Sequence, residues 1–214
     1  MAQFITFEGV EGSGKTTQIS RTGKWLQKAE IPCLITSEPG GSLLGKELRS
    51  LLLNRTSLRI GERAELLLFA ADRAQHVEEV IIPALNEEKV VICDRFSDAT
   101  IAYQGSGRGL DLSMIDTINN FASSSIKPDV TLLFDLSVQI GLERVAGRAV
   151  DPEGGAVGVD RFERERVDFH QKVRDAYRRI AEKEPRRFRI IDASQDADVV
   201  FLEVSRIISE ILGI

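Results

Sequence analysis

Residues 9 to 16 read GVEGSGKT, joining the apolar run QFITFE (residues 3 to 8) to a segment of helical periodicity. Every fixed position of G-x-x-x-x-G-K-[ST] is filled, in the strand, loop and helix context that the motif requires. Glycines let backbone N–H groups converge on phosphate oxygens, and the start of a helix adds partial positive charge. Gly9, Val10, Glu11, Gly12, Ser13 and Gly14 therefore read as a cradle for ATP. Lys15 brings a full charge to the β and γ phosphates, Thr16 a hydroxyl for magnesium, and Thr17 a contact to the α-phosphate. Ser13 is small enough not to obstruct the loop.

Four further apolar runs share the strand character of the first: CLITSE (33 to 38), VVICDR (90 to 95), VTLLFDL (130 to 136) and FRIIDA (188 to 193). Such unbroken runs suit strands covered on both faces. Between them the spacing predicts helices over residues 15 to 29, 63 to 85 and 113 to 121, then after Ser137, over 162 to 184, and from about residue 196. Strands alternating with helices imply an α/β fold with a parallel, doubly wound sheet, whose ligands bind at the carboxyl ends of the strands. One stretch breaks the order: AVDPEGGAVGV, residues 149 to 159, is Gly-rich, lies between helical segments, and reads as a functional loop.

Composition narrows the function. With 214 residues, 43% hydrophobic and 29% charged, the chain has the profile of a water-soluble globular protein, and one domain is expected. No segment approaches the roughly 18 consecutive apolar residues of a membrane span, and the start MAQFITFEGVEG lacks the basic leader of a signal peptide. A cytoplasmic location is expected. The net charge of −5 argues against a nucleic-acid partner. Cys33 and Cys93 sit in strand-like runs as small hydrophobes, and the two histidines, His76 and His170, have no neighbouring cysteine with which to bind zinc. Any metal is expected to be hard and oxygen-bound.

Asp94 and Arg95 lie where the third run leaves the sheet. A carboxylate there holds magnesium, partly through water, while the guanidinium beside it clamps a second phosphate. Motif and edge pair together still admit a GTPase switch, an ATP-driven motor or a small-molecule kinase. The chain has no NKxD guanine-reading sequence, which speaks against the switch.

Five stretches, in order, resemble the thymidylate kinase family: FEGVEGSGKTT, SEPGGSLLGKELR (37 to 49), LLLFAADRAQH (66 to 76), DRFSDATIAYQGSGRG (94 to 109) and DRFERE (160 to 165). The resemblance implies a P-loop NTPase-type three-layer fold with a five-stranded parallel sheet, formed by residues 1 to 214 as one nucleoside monophosphate kinase domain. It also implies transfer of the γ-phosphoryl group of ATP to thymidine monophosphate with magnesium, and a homodimer. Carried over by position, Phe69 stacks on the thymine and Arg73 donates to its O4; their i, i+4 spacing places both on one helix face. Thr100 and Gln104 match positions bonding the base, Tyr103 the ring that crowds the sugar, and Glu8 the acid near the 3′-hydroxyl. Arg49 and Arg95 match residues on the monophosphate, and Glu38 lies in the turn beside it. Other nucleoside or nucleotide kinases on the same scaffold are the rival reading.

In the family that the chain resembles, the arginine that neutralises the moving phosphoryl group comes from the phosphate loop in one branch and from the lid in the other. The loop here between Gly9 and Lys15 has no basic residue, so the resemblance implies a lid arginine, from about residues 147 to 161. Arg148 is the better match to the family's lid arginine, with Arg144 beside it and Arg161 at the hinge. This is the pattern of the bacterial, lid-arginine branch. Ser37, Phe96 and Ala99 depart from the residues usual at their positions, and the lid is longer than usual.

Overall fold

The computed structural model describes residues 2–54, 58–149 and 160–214. Five parallel strands, β1 (Gln3–Glu8), β2 (Cys33–Ser37), β3 (Val90–Asp94), β4 (Val130–Asp135) and β5 (Phe188–Asp192), form one sheet in the order β2-β3-β1-β4-β5. Each strand begins at the residue that its apolar run predicts. β1 lies at the centre with neighbours of different crossover sense, the place where open α/β sheets bind ligands.

Strand alternation divides the core. Phe4 of β1 joins Val91 and Cys93 of β3 on one face, with Val77, Ile81 and Phe96. Ile5 and Phe7 join Val90, Ile92, Leu132 and Phe134 on the other, against α8 (Val167–Lys183) and α9 (Ala197–Leu212). Thr6 and Thr131 sit inside the sheet and satisfy each other, hydroxyl to hydroxyl at 2.8 Å. Both cysteines are free. Among the described residues no helix is long and apolar enough to cross a membrane.

The helices follow the predicted order with three differences. The long helical pattern over 63 to 85 is α3 (Glu62–His76), a π-helical turn (Val77–Ile81) and α4 (Ile82–Asn86). Pro83 has no N–H to give to the preceding turn, and the wider turn carries the chain past that missing bond. The predicted helix from Phe162 instead starts at Val167, because Asp160 Oδ1 accepts from the amides of Phe162 and Glu163 and holds them in a turn. Two helical pieces were not anticipated. α2 (Leu43–Arg49) is capped by Ser42, whose Oγ accepts from Gly45 N at 2.9 Å. α5 (Ser97–Thr100) runs into a π-helical turn (Ile101–Gly107) directly behind β3. α1 (Lys15–Lys28), α6 (Leu112–Ala122) and α7 (Val138–Ala149) match their sequence patterns to within a residue or two.

Candidate active site

Register brings the chemistry to one edge. Phe7 pairs with Asp94 and Ser37 with Asp94, so the carboxyl ends of β1, β2 and β3 finish level and their loops open on one side. The phosphate loop leaves β1 there and turns into α1 through Gly14 at φ +85. Gly12 is at φ +70, and a Cβ on it would collide with the backbone of Gly141 in α7. Lys15, nearly buried, donates through Nζ to the carbonyls of Gly9 and Val10, each at 3.0 Å, and to Ser13 Oγ at 3.2 Å. Burial, with Arg95 nearby, pushes its pKa down to about 8.

Two cavities meet at this lysine. One, of about 430 Å³, runs along the outside of the loop from Gly12 to Gln18 and reaches Arg144 and Gln195. Arg144 Nη1 donates to Ala193 O at 2.9 Å, tying α7 to the turn after β5. The other, of about 520 Å³, opens toward β2, β3 and α3. Gly12, Lys15 and Thr16 line both.

The larger cavity is walled by charge near the loop. Arg95 takes the left-handed conformation at φ +70, which costs a non-glycine residue about 1 kcal/mol or more. Its guanidinium lies over the Tyr103 ring at 4.8 Å, donates to Glu11 Oε1 at 2.9 Å and to Tyr177 Oη at 3.2 Å. Tyr103 Oη donates to the same Glu11 oxygen at 2.5 Å, and His170 Nδ1 lies 3.2 Å from the other. Burial alone would raise Glu11, but Arg95, His170 and Lys15 outweigh it and hold its pKa at about 2. Glu8 is 0% exposed and stands behind this wall, accepting from Phe96 N at 2.7 Å and Tyr177 Oη at 2.6 Å. Burial, then Asp98, raises Glu8 to about 7.

Asp94 lines the cavity with one buried oxygen, Oδ1, that has no hydrogen-bond partner among the described residues. Thr16 stands on the same wall. Among the described residues no group of three histidine, cysteine or acidic side chains is set to hold a metal by itself. An oxygen donor pair of this kind fits a magnesium ion that keeps waters and phosphate oxygens as its other ligands.

The far end of the cavity is aromatic and polar. Phe69 lies 6.0 Å from Phe162, which meets Tyr103 edge to face at 5.5 Å. Arg73 donates through Nε to Glu38 Oε2 at 2.9 Å and through Nη1 to Thr100 Oγ1 at 3.0 Å and Asn119 Oδ1 at 2.7 Å. Glu38 is held from its other oxygen by His76 Nδ1 at 2.9 Å, and His76 Nε2 meets Thr36 Oγ1 at 2.7 Å. Gln104 donates to Glu65 at 2.8 Å; Glu65 also pairs with Arg108 and Arg161. Arg49 Nη1 donates to Pro39 O at 2.7 Å.

The structure thus gathers Glu11, Gly12, Lys15, Thr16, Glu38, Arg49, Phe69, Arg73, Asp94, Arg95, Thr100, Tyr103 and Gln104 on one cavity. Ser13, Gly14 and Thr17 line the adjoining one, while Gly9, Val10 and Glu8 lie on neither. The Arg148 side chain and residues 150–159, most of the expected lid, lie outside the described residues. Sequence reasoning missed Glu65, Asn119, His170 and Tyr177, and gave His76 no part in the site. His76 was within reach, three residues after Arg73 on the same helix face; Asn119 carries no local signal.

A family model described as thymidylate kinase matches residues 7–204. The chain is 52% identical over 200 residues to the thymidylate kinase of Desulfovibrio desulfuricans, covering 94% of this chain and 92% of that one. It is 50% identical over 194 residues to that of Pelobacter propionicus, with 91% and 88% covered. A crystal structure of thymidylate kinase from Ehrlichia chaffeensis superposes with a TM-score of 0.76 at 35% identity, over 97% of this chain and 98% of the other. With the phosphate loop, the level strand ends and the aromatic cavity already in place, these matches settle the family: this chain belongs to the thymidylate kinases.

Proposed function

We propose that this chain transfers the γ-phosphoryl group of ATP to thymidine 5′-monophosphate, yielding the diphosphate and ADP in the synthesis of dTTP. The observation that carries the reading is the pair of cavities sharing Gly12, Lys15 and Thr16, one along the phosphate loop and one ending in Phe69 and Arg73. A donor nucleotide in the smaller and an acceptor in the larger put their phosphates together at Lys15.

In the transfer an acceptor phosphate oxygen forms a bond to the γ-phosphorus while the bond to the β,γ-bridging oxygen breaks. The chain's part is positioning and charge. Lys15 and the loop amides hold the donor, and Arg95, fixed by Glu11, Tyr177 and Tyr103, holds the acceptor phosphate with Arg49. Glu38 keeps Arg73 in place, and Glu8 braces Tyr177 rather than touching the cavity. Thr16 and Asp94 would hold magnesium, which offsets the charge of the phosphates. Arg148, at the end of α7, is proposed as the arginine that reaches the moving group, since the loop from Val10 to Gly14 has none. Phe69 stacks on the base, Arg73 donates to its O4, Thr100 and Gln104 border its edge, and Tyr103 crowds the sugar. A cytoplasmic homodimer without nucleic-acid partners completes the reading; the acidic balance supports its last part.

The test is ADP release from ATP and magnesium with a panel of monophosphates. A pocket for one methyl group discriminates by about 1 to 3 kcal/mol, so dUMP should be turned over at roughly a tenth or less of the dTMP efficiency. dCMP presents an amino group to Arg73, donor against donor, and should fare far worse. Equal turnover of dCMP and dTMP, or ADP release indifferent to any monophosphate, would overturn the assignment.

A further inference from the structure

We infer that Asn119, which does not line the cavity, is a positioning residue that sets which pyrimidine the site accepts. The inference rests on the reading of Arg73 as the residue facing position 4 of the base. Arg73 is 2% exposed, yet it borders the cavity. Its Nε proton goes to Glu38, and the two protons of Nη1 go to Thr100 and Asn119. Among the described residues Nη2 has no hydrogen bond. Because the guanidinium is planar and rigid, acceptors on Nε and Nη1 dictate where Nη2 points. The ring of Phe96, 5.1 Å from the guanidinium carbon, supports its face.

Asn119 is 4% exposed on α6 and makes the shortest of these three bonds. Its amide cannot turn freely, since Nδ2 donates to Ser97 O at 3.2 Å and so leaves Oδ1 toward Arg73. A held Nη2 offers only protons to the base. It accepts a 4-oxo group and leaves a 4-amino group facing a donor with nothing to receive it. Without Asn119, one buried proton of Nη1 loses its acceptor and the guanidinium swings to recover one. The donor edge that excludes cytosine is then no longer fixed.

Three variants and the natural chain, each assayed for kcat/KM with dTMP and dCMP and for thermal midpoint, test this. Asn119→Leu removes the acceptor; Asn119→Asp retains it while giving up the bond to Ser97; Arg73→Lys tests the base reading itself. The ratio of dTMP to dCMP efficiency should fall about tenfold in Asn119→Leu, the scale of one charge-assisted hydrogen bond, and stay within about threefold in Asn119→Asp. Asn119→Ala serves in place of the leucine variant if that does not fold. A merely structural residue would lower the thermal midpoint and leave the ratio alone, and that result overturns the inference. An unchanged ratio at Asn119 with a fallen ratio in Arg73→Lys sinks the role of Asn119 and spares the base reading. No change in either overturns both.

Discussion

Lys15 and Glu11 stand four residues apart in one loop, and burial disfavours the charge on each. Glu11 keeps its charge because Arg95, His170 and Lys15 surround it, so its pKa falls to about 2. Lys15 has Arg95 among its neighbours and drops to about 8 from an ordinary 10.5. The sign of the linkage follows. Between about pH 8 and 10.5 an unfolded chain keeps the lysine proton that the native chain has released, so this group's contribution to stability rises with pH across that window. A triphosphate beside Nζ favours the charged form and restores the proton. ATP binding should therefore take up protons near pH 8.5 and almost none near pH 6.5, as measured by calorimetry in two buffers of different ionisation enthalpy. Equal heats in the two buffers at pH 8.5 would remove Lys15 from the phosphate site. Lys15 stands at a fixed position of the motif and was singled out from spacing alone; Glu11 fills a variable position, and the partners that set the protonation of both were not legible.

At the level of elements, the phosphate loop is shaped by α7 as much as by its own glycines. A Cβ on Gly141 would lie 2.5 Å from Glu11 O, and one on Gly12 would meet Gly141 in turn. Loop and helix therefore touch backbone to backbone. Gly141→Ala should destabilise the protein by about 1 to 3 kcal/mol and weaken ATP binding while leaving the dTMP KM close to that of the natural chain. Urea unfolding with separate KM measurements for the two substrates checks this; an unchanged KM for ATP would show that the contact does not shape the loop. The inner strands were legible because a strand buried on both faces writes itself as an unbroken apolar run; β2 and β5, at the sheet edges, carry such a run although they are partly exposed rather than covered on both faces. α2 and the 97 to 107 segment were not. They are short, glycine-bearing and held by Ser42 and by packing behind β3, so periodicity over two turns has little to register. Phe162 fooled the pattern for the opposite reason: its apolar side chain falls in phase with α8, but Asp160 keeps its backbone in a turn.

For the whole molecule, the described surface carries apolar side chains on two neighbouring helices. Phe121 is 86% exposed, with Met114, seven residues before it and so on the same face of α6, and Leu67 of α3 also exposed. Where exposed apolar side chains of packed helices form one patch, they mark an interface. If the proposed homodimer forms here, the natural chain should elute with twice the chain mass in light scattering and Phe121→Asp should shift it toward monomer with unchanged circular dichroism. A monomeric natural chain at micromolar concentration would rule the dimer out.

By itself the sequence determined the nucleotide-binding loop and the alternation of strands and helices, since a glycine cradle and an apolar run are properties of neighbouring residues. The family motifs added a further set of candidate residues, which the structure gathers on the larger cavity, Glu8 excepted. What only the tertiary structure decided is how those residues are held. The acceptors on Arg73 come from positions 35, 27 and 46 residues away, in the turn after β2 and on two different helices. Glu8, adjacent to the loop in sequence, is turned behind Tyr177, 169 residues distant. Such contacts depend on sheet register and on the direction in which each packed helix aims its side chains, and no local pattern of residues encodes either.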